Sequence, residues 1–324
     1  MFKLIFLLLI TPFLVSCNST NSGNGRSDIP GKIVFSAQDE SGTIQIFTMN
    51  ADGSNIRQLT DDERSSRSPA WSPDGSQIAF ASFREAPIGS TTLWVMNADG
   101  SNERPLIFHP NATGQPMFGS NPNWHPDGTR LAFDQCIDCE ALGRNSEIFI
   151  ADLQTGIIDT LLQHPASDGR PLWSPEGTKI LFLSDRALLS NDSLSTGSDI
   201  FFLSIVDKTV TRITASSGDV GTHNWVSSDS IFYTPLDRDT GFRHLFIYDL
   251  KSGKENAVLT NLDVSQFWTF WDPVRRQFLS IEKKHNEIPV TLTLFDLDGN
   301  TIEEIKLTDP LLKTAKGFKW KITQ

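Results

Sequence analysis

Five side chains that can bind a ligand stand at nearly the same place in successive segments, two to four residues before a tryptophan. These side chains are Arg67, Asn121, Arg170, His223 and Trp268. Grouped around one mouth, they could bind a peptide terminus, a carboxylate or a sugar acid. The alternative is that they satisfy local backbone groups inside packed loops.

Two other histidines, His109 and His164, are each followed by proline and begin stretches that lead toward these positions. With His223 they could form a metal site, although their spacing matches no ligand pair of known type. A calcium loop at Asp296 is disfavoured, because Leu307 stands where the loop needs its last acidic ligand. We therefore predict no metal and no cofactor.

The chain has three cysteines, and two of them, Cys136 and Cys139, are separated by only two residues. A redox motif would need a βαβ context, and a haem attachment site would need histidine in place of Glu140. A zinc site would need two further ligands at short spacing. In an exported protein, a local disulfide is the simplest interpretation of this pair.

The elements that must position these residues follow a fixed period. Tryptophan recurs at intervals of 53, 49, 52, 46 and 49 residues. The six positions are Trp71, Trp124, Trp173, Trp225, Trp271 and Trp320. A turn follows each of the first five, and then come short β-branched and aromatic runs bounded by further turns, which predict strands. Four strands in a unit of about fifty residues predict the blade of a β-propeller.

The two ends of the repeat region complete one another. The region begins at Lys32 with a second strand and ends around Trp320 with a first strand. Joined in one sheet, these strands add a sixth blade to five whole ones and leave no open edge. The predicted fold is all-β: a six-bladed β-propeller of four-stranded antiparallel blades, with the ring closed by N-terminal and C-terminal strands in one blade.

Strand direction sorts the loops onto two faces. Successive strands run antiparallel, so the links from strand two to strand three lie on the same face as the links between blades. These links are long, whereas the other face carries tight Asp-Gly turns. The long links are residues 83–91, 108–121, 134–146, 164–170, 185–199, 215–222 and 235–244. We predict that this long-loop face holds the binding site, because functional groups usually lie on loops over a rigid scaffold.

The N-terminus resembles a bacterial lipoprotein signal. An apolar stretch too short to span a bilayer comfortably ends in Leu14-Val-Ser-Cys17, which resembles a lipobox. The resemblance implies cleavage before Cys17 and its acylation; an ordinary secretory signal is the alternative. We predict a signal peptide at 1–16, a lipid anchor and flexible tether at 17–30, and the propeller at 31–324. Asn18 favours the outer membrane, with the protein facing the periplasm or the cell surface.

The repeats Trp71-Ser-Pro-Asp-Gly75 and Trp173-Ser-Pro-Glu-Gly177 resemble the WD40-like repeats of TolB-like six-bladed propellers. The resemblance covers residues 31–324 and weakens at Trp225 and Trp271, whose turns lack the glycine. TolB itself carries a separate α/β domain before its propeller and is soluble in the periplasm. Here a lipid-anchor motif and a tether stand in that place, so the resemblance implies a TolB-like propeller that is distinct from TolB.

The charge of the chain and the absence of certain motifs disfavour two classes of function, nucleic-acid binding and peptidase activity. The formal net charge is −11 and no Lys/Arg-rich run occurs, which argues against nucleic acid and leaves the N-terminal lipid as the membrane contact. A prolyl-peptidase-like enzyme is disfavoured, because no Gly-x-Ser-x-Gly elbow occurs and no α/β-hydrolase domain follows. We predict a non-catalytic envelope lipoprotein that binds a protein partner or an oligosaccharide. Two alternatives stay open: a metal-dependent carbohydrate lyase or hydrolase, as the six-bladed lyases of pectin fragments are, and a structural envelope scaffold.

Overall fold

The computed structural model describes most of the repeat region predicted from the sequence. The described residues are 31–86, 90–106, 117–138, 145–189, 197–214, 220–237, 241, 243–262, 266–283 and 290–322. The predicted signal peptide (1–16) and the tether with Cys17 (17–30) lie outside them, and so do His109 and Cys139.

The described residues form six four-stranded antiparallel sheets, numbered here as blades 1 to 6. Blade 1 contains β1 (Lys32–Gln38), β2 (Ile44–Asn50) and β3 (Arg57–Gln58). Blade 2 contains β4 (Ser66–Trp71), β5 (Gln77–Ser82), β6 (Thr92–Asn97) and β7 (Arg104–Pro105). Blade 3 contains β8 (Ser120–Trp124), β9 (Arg130–Asp138), β10 (Asn145–Asp152) and β11 (Ile158–Thr160).

The second half of the ring repeats this arrangement. Blade 4 contains β12 (Asp168–Trp173), β13 (Lys179–Ser184), β14 (Asp199–Ser204) and β15 (Val210–Arg212). Blade 5 contains β16 (Val220–Ser227), β17 (Ser230–Pro235), β18 (Arg243–Asp249) and β19 (Glu255–Leu262). Blade 6 contains β20 (Gln266–Asp272), β21 (Gln277–Lys283), β22 (Val290–Phe295) and β23 (Thr301–Leu307). The last strand, β24 (Lys316–Lys321), returns to blade 1.

Helical structure is scarce in the described residues. It consists of α1 (Arg186–Leu189) and a 3₁₀ helix (Pro310–Lys313), which Asp309 caps by accepting a hydrogen bond from the Leu311 amide. No helix among the described residues has the length and apolar character needed to cross a membrane.

The ring is closed as predicted. β24 pairs antiparallel with β1 and places Trp320 opposite Ile33. The rings of Phe35 and Phe318 stack across this junction with centroids 5.1 Å apart. The terminal strands therefore share both a hydrogen-bonded ladder and a core contact.

The recurring tryptophans pack between neighbouring blades. The Trp124 indole nitrogen donates to the Ala70 carbonyl of blade 2 (3.2 Å), and the Trp225 indole nitrogen donates to the Leu172 carbonyl of blade 4 (3.0 Å). Trp173 meets His125 of blade 3 edge to face, with ring centroids 4.5 Å apart. These contacts explain the tryptophan period by packing.

The turns after the tryptophans have the backbone that their sequence requires. Gly75 and Gly177 both take φ 73°, a region that glycine enters without a Cβ penalty. Blade 6 lacks this glycine, and Arg276 takes φ 53° in its turn instead. In blade 5, Ser227 pairs with Ser230 across a two-residue turn. The drifted repeats therefore keep their hairpins without the glycine.

One predicted loop is shorter than expected. The sequence predicts a long link at 134–146, but β9 and β10 extend into it, with Gln135 paired to Glu147. Polar residues in this extension hide it from a search for apolar runs. Asp134 consequently lies within a strand, next to the inner strand of its own blade.

Gly31 offers a test of ring closure. It takes φ 103°, and a Cβ added there would overlap the Lys321 carbonyl oxygen beside β24. Gly42 also has a positive φ, 84°, but nothing lies within 4 Å of its added Cβ. Both alanine variants carry backbone strain of about 1 kcal/mol, and we expect Gly31→Ala to lose a further ~1–3 kcal/mol in urea unfolding because it displaces β24. Equal losses in the two variants would contradict a tight junction.

Candidate functional site

Four inner strands share one irregularity close to the propeller axis. Three residues before the tryptophan, Ser68, Asn121, Arg170 and Gly317 take φ values of 53°, 49°, 53° and 63°. The ladder shifts register at each of these points, which marks a β-bulge. Proline follows in blades 2, 3 and 4, where the bulge needs no backbone donor. In these four strands the bulge interrupts the regular alternation of side chains at the start of the inner strand.

A cavity of about 710 Å³ lies among these bulges on the axis. Its lining comes from all six blades, at the strand ends that face the long links, so the cavity belongs to the long-loop face. The five residues selected by sequence periodicity all line it: Arg67, Asn121, Arg170, His223 and Trp268. The structure therefore brings the predicted rim residues together.

The cavity is cationic although the chain is acidic overall. Its described lining contains no Asp or Glu and five Lys or Arg side chains. These are Arg67, Arg170, Arg243, Lys316 and Lys319. Cations gathered on the walls of a cleft raise the local concentration of anions. The cavity is therefore positively charged in a chain whose formal net charge is −11.

A chain of hydrogen bonds joins the rim across blades 2 to 5. Ser68 Oγ donates to Asn121 Oδ1 (3.1 Å), and Asn121 Nδ2 donates to Asp134 Oδ2 (2.8 Å). The Arg170 backbone nitrogen donates to the same carboxylate oxygen (2.8 Å). His223 Nε2 lies 3.3 Å from the Arg170 carbonyl oxygen, and because that oxygen can only accept, Nε2 carries the proton. The backbone of Arg170 is thereby held on both sides, while its side chain stays exposed.

Asp134 is the buried acid behind this rim, with 7% of its surface exposed. Burial raises the pKa of its carboxyl to about 6, against the opposing effect of the hydrogen bonds from Arg170 and Asn121. A Cβ added at Gly169 would lie 3.3 Å from Asp134 Oδ2, so the absence of a side chain there gives the carboxylate room. Asp134 is placed to anchor the rim backbone from behind.

Burial and like charges lower the pKa values of two bases in the cavity. Burial, followed by the charge of Arg170, lowers the pKa of Lys319 to about 8. Burial, followed by the charges of Arg170 and Lys319, lowers the pKa of His223 to about 3, so its imidazole is neutral at pH 7. An anion between Arg170 and Lys319 would relieve this repulsion. The site is therefore arranged to receive negative charge.

Sequence reasoning missed Lys316, Lys319 and Arg243. A closer alignment of the repeats would have found Lys319, because the residues directly before the other five tryptophans are uncharged. Those residues are Ala70, Asn123, Leu172, Asn224 and Phe270. No such signal marks Arg243, which lines the cavity from the start of β18.

His164 does not line the cavity, so the structure places it apart from the five rim residues. Its Nδ1 accepts a hydrogen bond from the Ala166 backbone nitrogen (3.0 Å), and its backbone binds Asn145 and Glu147. His109 lies outside the described residues. Within those residues, no group of three or more His, Cys, Asp and Glu side chains could hold a metal ion.

Cys136 stands near the long-loop end of β9 and is disulfide-bonded. Cys139 lies outside the described residues, so its pairing with Cys136 stays a prediction. A disulfide agrees with an oxidising compartment such as the bacterial envelope.

No protein-family model matches the chain. Dipeptidyl-peptidase 5 of Porphyromonas gingivalis is 30% identical to it over 71% of this chain and 39% of that protein. A protein TolB homolog of Chlorobium chlorochromatii is 47% identical over 50% of this chain and 33% of that protein. The chain thus spans well under half the length of these curated relatives.

Two solved structures illustrate the fold. TolB from Acinetobacter baumannii superposes with a TM-score of 0.65 at 18% identity, covering 91% of this chain and 67% of its own. An oligogalacturonate lyase in complex with manganese gives a TM-score of 0.59 at 14% identity, covering 84% and 73%. At these identities the likeness concerns the fold. The chain has the six-bladed β-propeller fold that TolB also has, as the resemblance drawn from its repeats implied.

Proposed function

We propose that this chain is a non-catalytic, lipid-anchored propeller of the bacterial envelope that binds an anionic group of its partner in the central cavity. The partner is a protein or an oligosaccharide. One observation carries the proposal: five Lys and Arg side chains line the cavity, and its described lining holds no carboxylate. In this proposal the signal peptide (1–16) is removed, and Cys17 carries the lipid that holds the protein at the outer membrane.

The cavity is suited to the end group of a larger ligand. Its volume of about 710 Å³ falls within the range of small-molecule sites, roughly 300–1,000 Å³. Trp268 packs edge to face on Phe318, with ring centroids 5.0 Å apart, and adds an aromatic wall beside the cations. A peptide terminus or a sugar acid combines the anion and the apolar surface that such a site binds.

The relatives leave the question of catalysis open, since one is named a peptidase and another a TolB homolog. We favour binding, because the neutral His223 donates its Nε2 proton to the Arg170 carbonyl. The imidazole is thus engaged with the backbone, whereas a general base would be oriented toward a nucleophile.

The alternative of a metal-dependent lyase or hydrolase draws no support from the described residues, which lack a suitable group of ligands. Metal analysis of the purified protein separates it from the binding proposal. A stoichiometric transition metal that is lost on substitution of His223 would favour the lyase.

The binding proposal is tested with two pairs of probes that differ only in charge. One pair is a short peptide with a free C-terminal carboxylate and the same peptide with a C-terminal amide. The other is a galacturonic-acid trisaccharide and its methyl ester. By calorimetry at pH 7, the charged member of at least one pair should bind ten times more tightly or better, because a charge-assisted hydrogen bond contributes about 1.5–3 kcal/mol. Equal affinities within both pairs would overturn the proposal, and the pair that discriminates indicates the partner class.

A further inference from the structure

A second polar cluster lies between blades 3 and 4, apart from the cavity lining. It contains three buried acceptor oxygens: Asn145 Oδ1, Glu147 Oε2 and Asp168 Oδ1. No described residue lies in hydrogen-bonding geometry to these three oxygens. The Ser184 hydroxyl, which faces Asp168 across the β12–β13 ladder, acts on the same carboxyl and opposes the rise in its pKa that burial causes. Glu147 is 2% exposed and Asp168 is 0% exposed. Acceptors buried without partners are costly, so each calls for an explanation.

Backbone geometry brings the three side chains together. Asn145 and Glu147 are two residues apart on β10 and therefore point to the same side of the strand. Both side chains bond to the backbone of His164. Asn145 Nδ2 donates to the His164 carbonyl oxygen (3.1 Å), and the His164 backbone nitrogen donates to Glu147 Oε1 (2.7 Å). Asp168 begins β12, which packs against β10. Burial raises the pKa of the Glu147 carboxyl and the nearby charge of Asp168 adds to that rise, which agrees with this proximity.

The cluster carries more negative than positive charge. Asp168 Oδ2 pairs with the Arg186 guanidinium, and the same guanidinium acts on Glu147 through its charge alone. Among the described residues, the positive charge near the two carboxylates comes from Arg186 and, when its imidazole is protonated, from His164, which acts on Asp168. Buried charge of this kind is normally paired or bound to a metal ion.

In blades 1 and 4 the equivalent side chain has hydrogen-bond donors that Glu147 Oε2 lacks. The residue equivalent to Glu147 is Gln45 in blade 1, whose Oε1 accepts from Thr60 Oγ1 (2.6 Å). In blade 4 it is Asp199, which accepts from Arg212 Nη2 (2.8 Å) and Thr214 Oγ1 (3.3 Å).

The equivalence of these positions follows from one backbone hydrogen bond that recurs between the third and fourth strands of these blades. Leu59, Leu161 and Ile213 each donate their backbone nitrogen to the equivalent third-strand carbonyl. The next residue is threonine in blades 1 and 4 but Leu162 in blade 3. Blade 3 therefore lacks the hydroxyl that donates to this position in blades 1 and 4.

We propose that Asn145, Glu147 and Asp168 bind a divalent cation of the calcium class, which ties blade 3 to blade 4. One amide oxygen and two carboxylates are the ligands that a hard cation prefers, and water or backbone carbonyls complete its shell. Zinc and copper favour sulfur and imidazole ligands, which this set lacks. Magnesium gives up its water reluctantly, so a buried cluster favours calcium.

The test measures Ca²⁺ binding to the full chain after removal of metal with a chelator. Calorimetry should show one Ca²⁺ ion bound per chain. Ca²⁺ should also raise the melting temperature of the protein more than Mg²⁺ does at the same concentration. Glu147→Gln keeps the shape and removes one charge, so Ca²⁺ affinity should fall about tenfold or more. Asp199→Asn changes the equivalent position of blade 4, and Asp296→Asn changes an exposed acidic turn; both should keep the wild-type affinity within about twofold.

A gain-of-binding variant guards against a Glu147→Gln chain that fails to fold. Asn145→Asp adds a third carboxylate and should tighten Ca²⁺ binding severalfold. The proposal is overturned if the wild-type chain binds no Ca²⁺ in a saturable way. It is equally overturned if Glu147→Gln folds and binds as the wild type does, or if Asn145→Asp folds and gains nothing.

Discussion

Arg170→Glu is expected to weaken binding of the charged probes about 100-fold or more while the propeller stays folded. The arginine side chain is exposed, and its residue is tied to the fold through its backbone nitrogen and carbonyl, which the substitution keeps. Loss of a charge-assisted hydrogen bond removes about 1.5–3 kcal/mol. That is roughly a factor of 10 to 100 in affinity. The new carboxylate also repels the ligand's anion, which adds to the loss.

Arg104→Glu is the matched control for this prediction. Arg104 is exposed on β7, an outer strand far from the axis, and its substitution changes the net charge by the same amount. Affinity for the charged probes should stay within about twofold, since screened surface charges act weakly at a distance. A similar loss in both variants would indicate a general charge effect. Unchanged binding in Arg170→Glu would favour the alternative of a structural scaffold.

The fold was predictable because the same local sequence signals recur from repeat to repeat. These signals are the tryptophan period, the Asp-Gly turns and the apolar second strands. Because the unit occurs six times, a repeat whose turn has lost the usual residues does not obscure the pattern. Ring closure followed from two half-blades that complete each other at Lys32 and Trp320. The blade count therefore needed no knowledge of long-range contacts.

The site was only partly predictable, because its walls come from positions that no local pattern joins. The offset from each tryptophan identified the rim residues that precede it, and three of these residues, Arg67, Asn121 and Arg170, lie at the β-bulges of blades 2 to 4. Arg243 enters from a third strand, and Lys316 and Lys319 belong to the strand that closes the ring. Their convergence depends on the geometry of the ring, and their shared charge became visible only when the lining was assembled. His164 shows the converse, since its position in a long link suggested the rim while its hydrogen bonds hold it at a blade interface.

Asp134→Asn is expected to change how stability depends on pH. Burial raises the pKa of the Asp134 carboxyl from 3.8 to about 6 in the folded chain. An acid with a raised pKa binds its proton more tightly in the folded state, so its stabilising contribution is present below pH 4 and is lost as the pH rises through 6. A shift of this size corresponds to about 3 kcal/mol. The stability of the wild type relative to Asp134→Asn should therefore fall by about 3 kcal/mol between pH 4 and pH 7.

Urea unfolding of both chains at several pH values measures this difference. Asp74→Asn is the control, because hydrogen bonds from Ser72 and Ser76 lower the pKa of the Asp74 carboxyl to about 2. Its contribution is lost only as the pH falls through that value, so the difference between wild type and Asp74→Asn should be flat from pH 5 to pH 7. A flat difference for Asp134→Asn as well would mean that the Asp134 carboxylate is ionised without penalty behind the rim. In that case the hydrogen bonds from Asn121 and the Arg170 backbone, together with the cations of the cavity, would offset the whole cost of burying it.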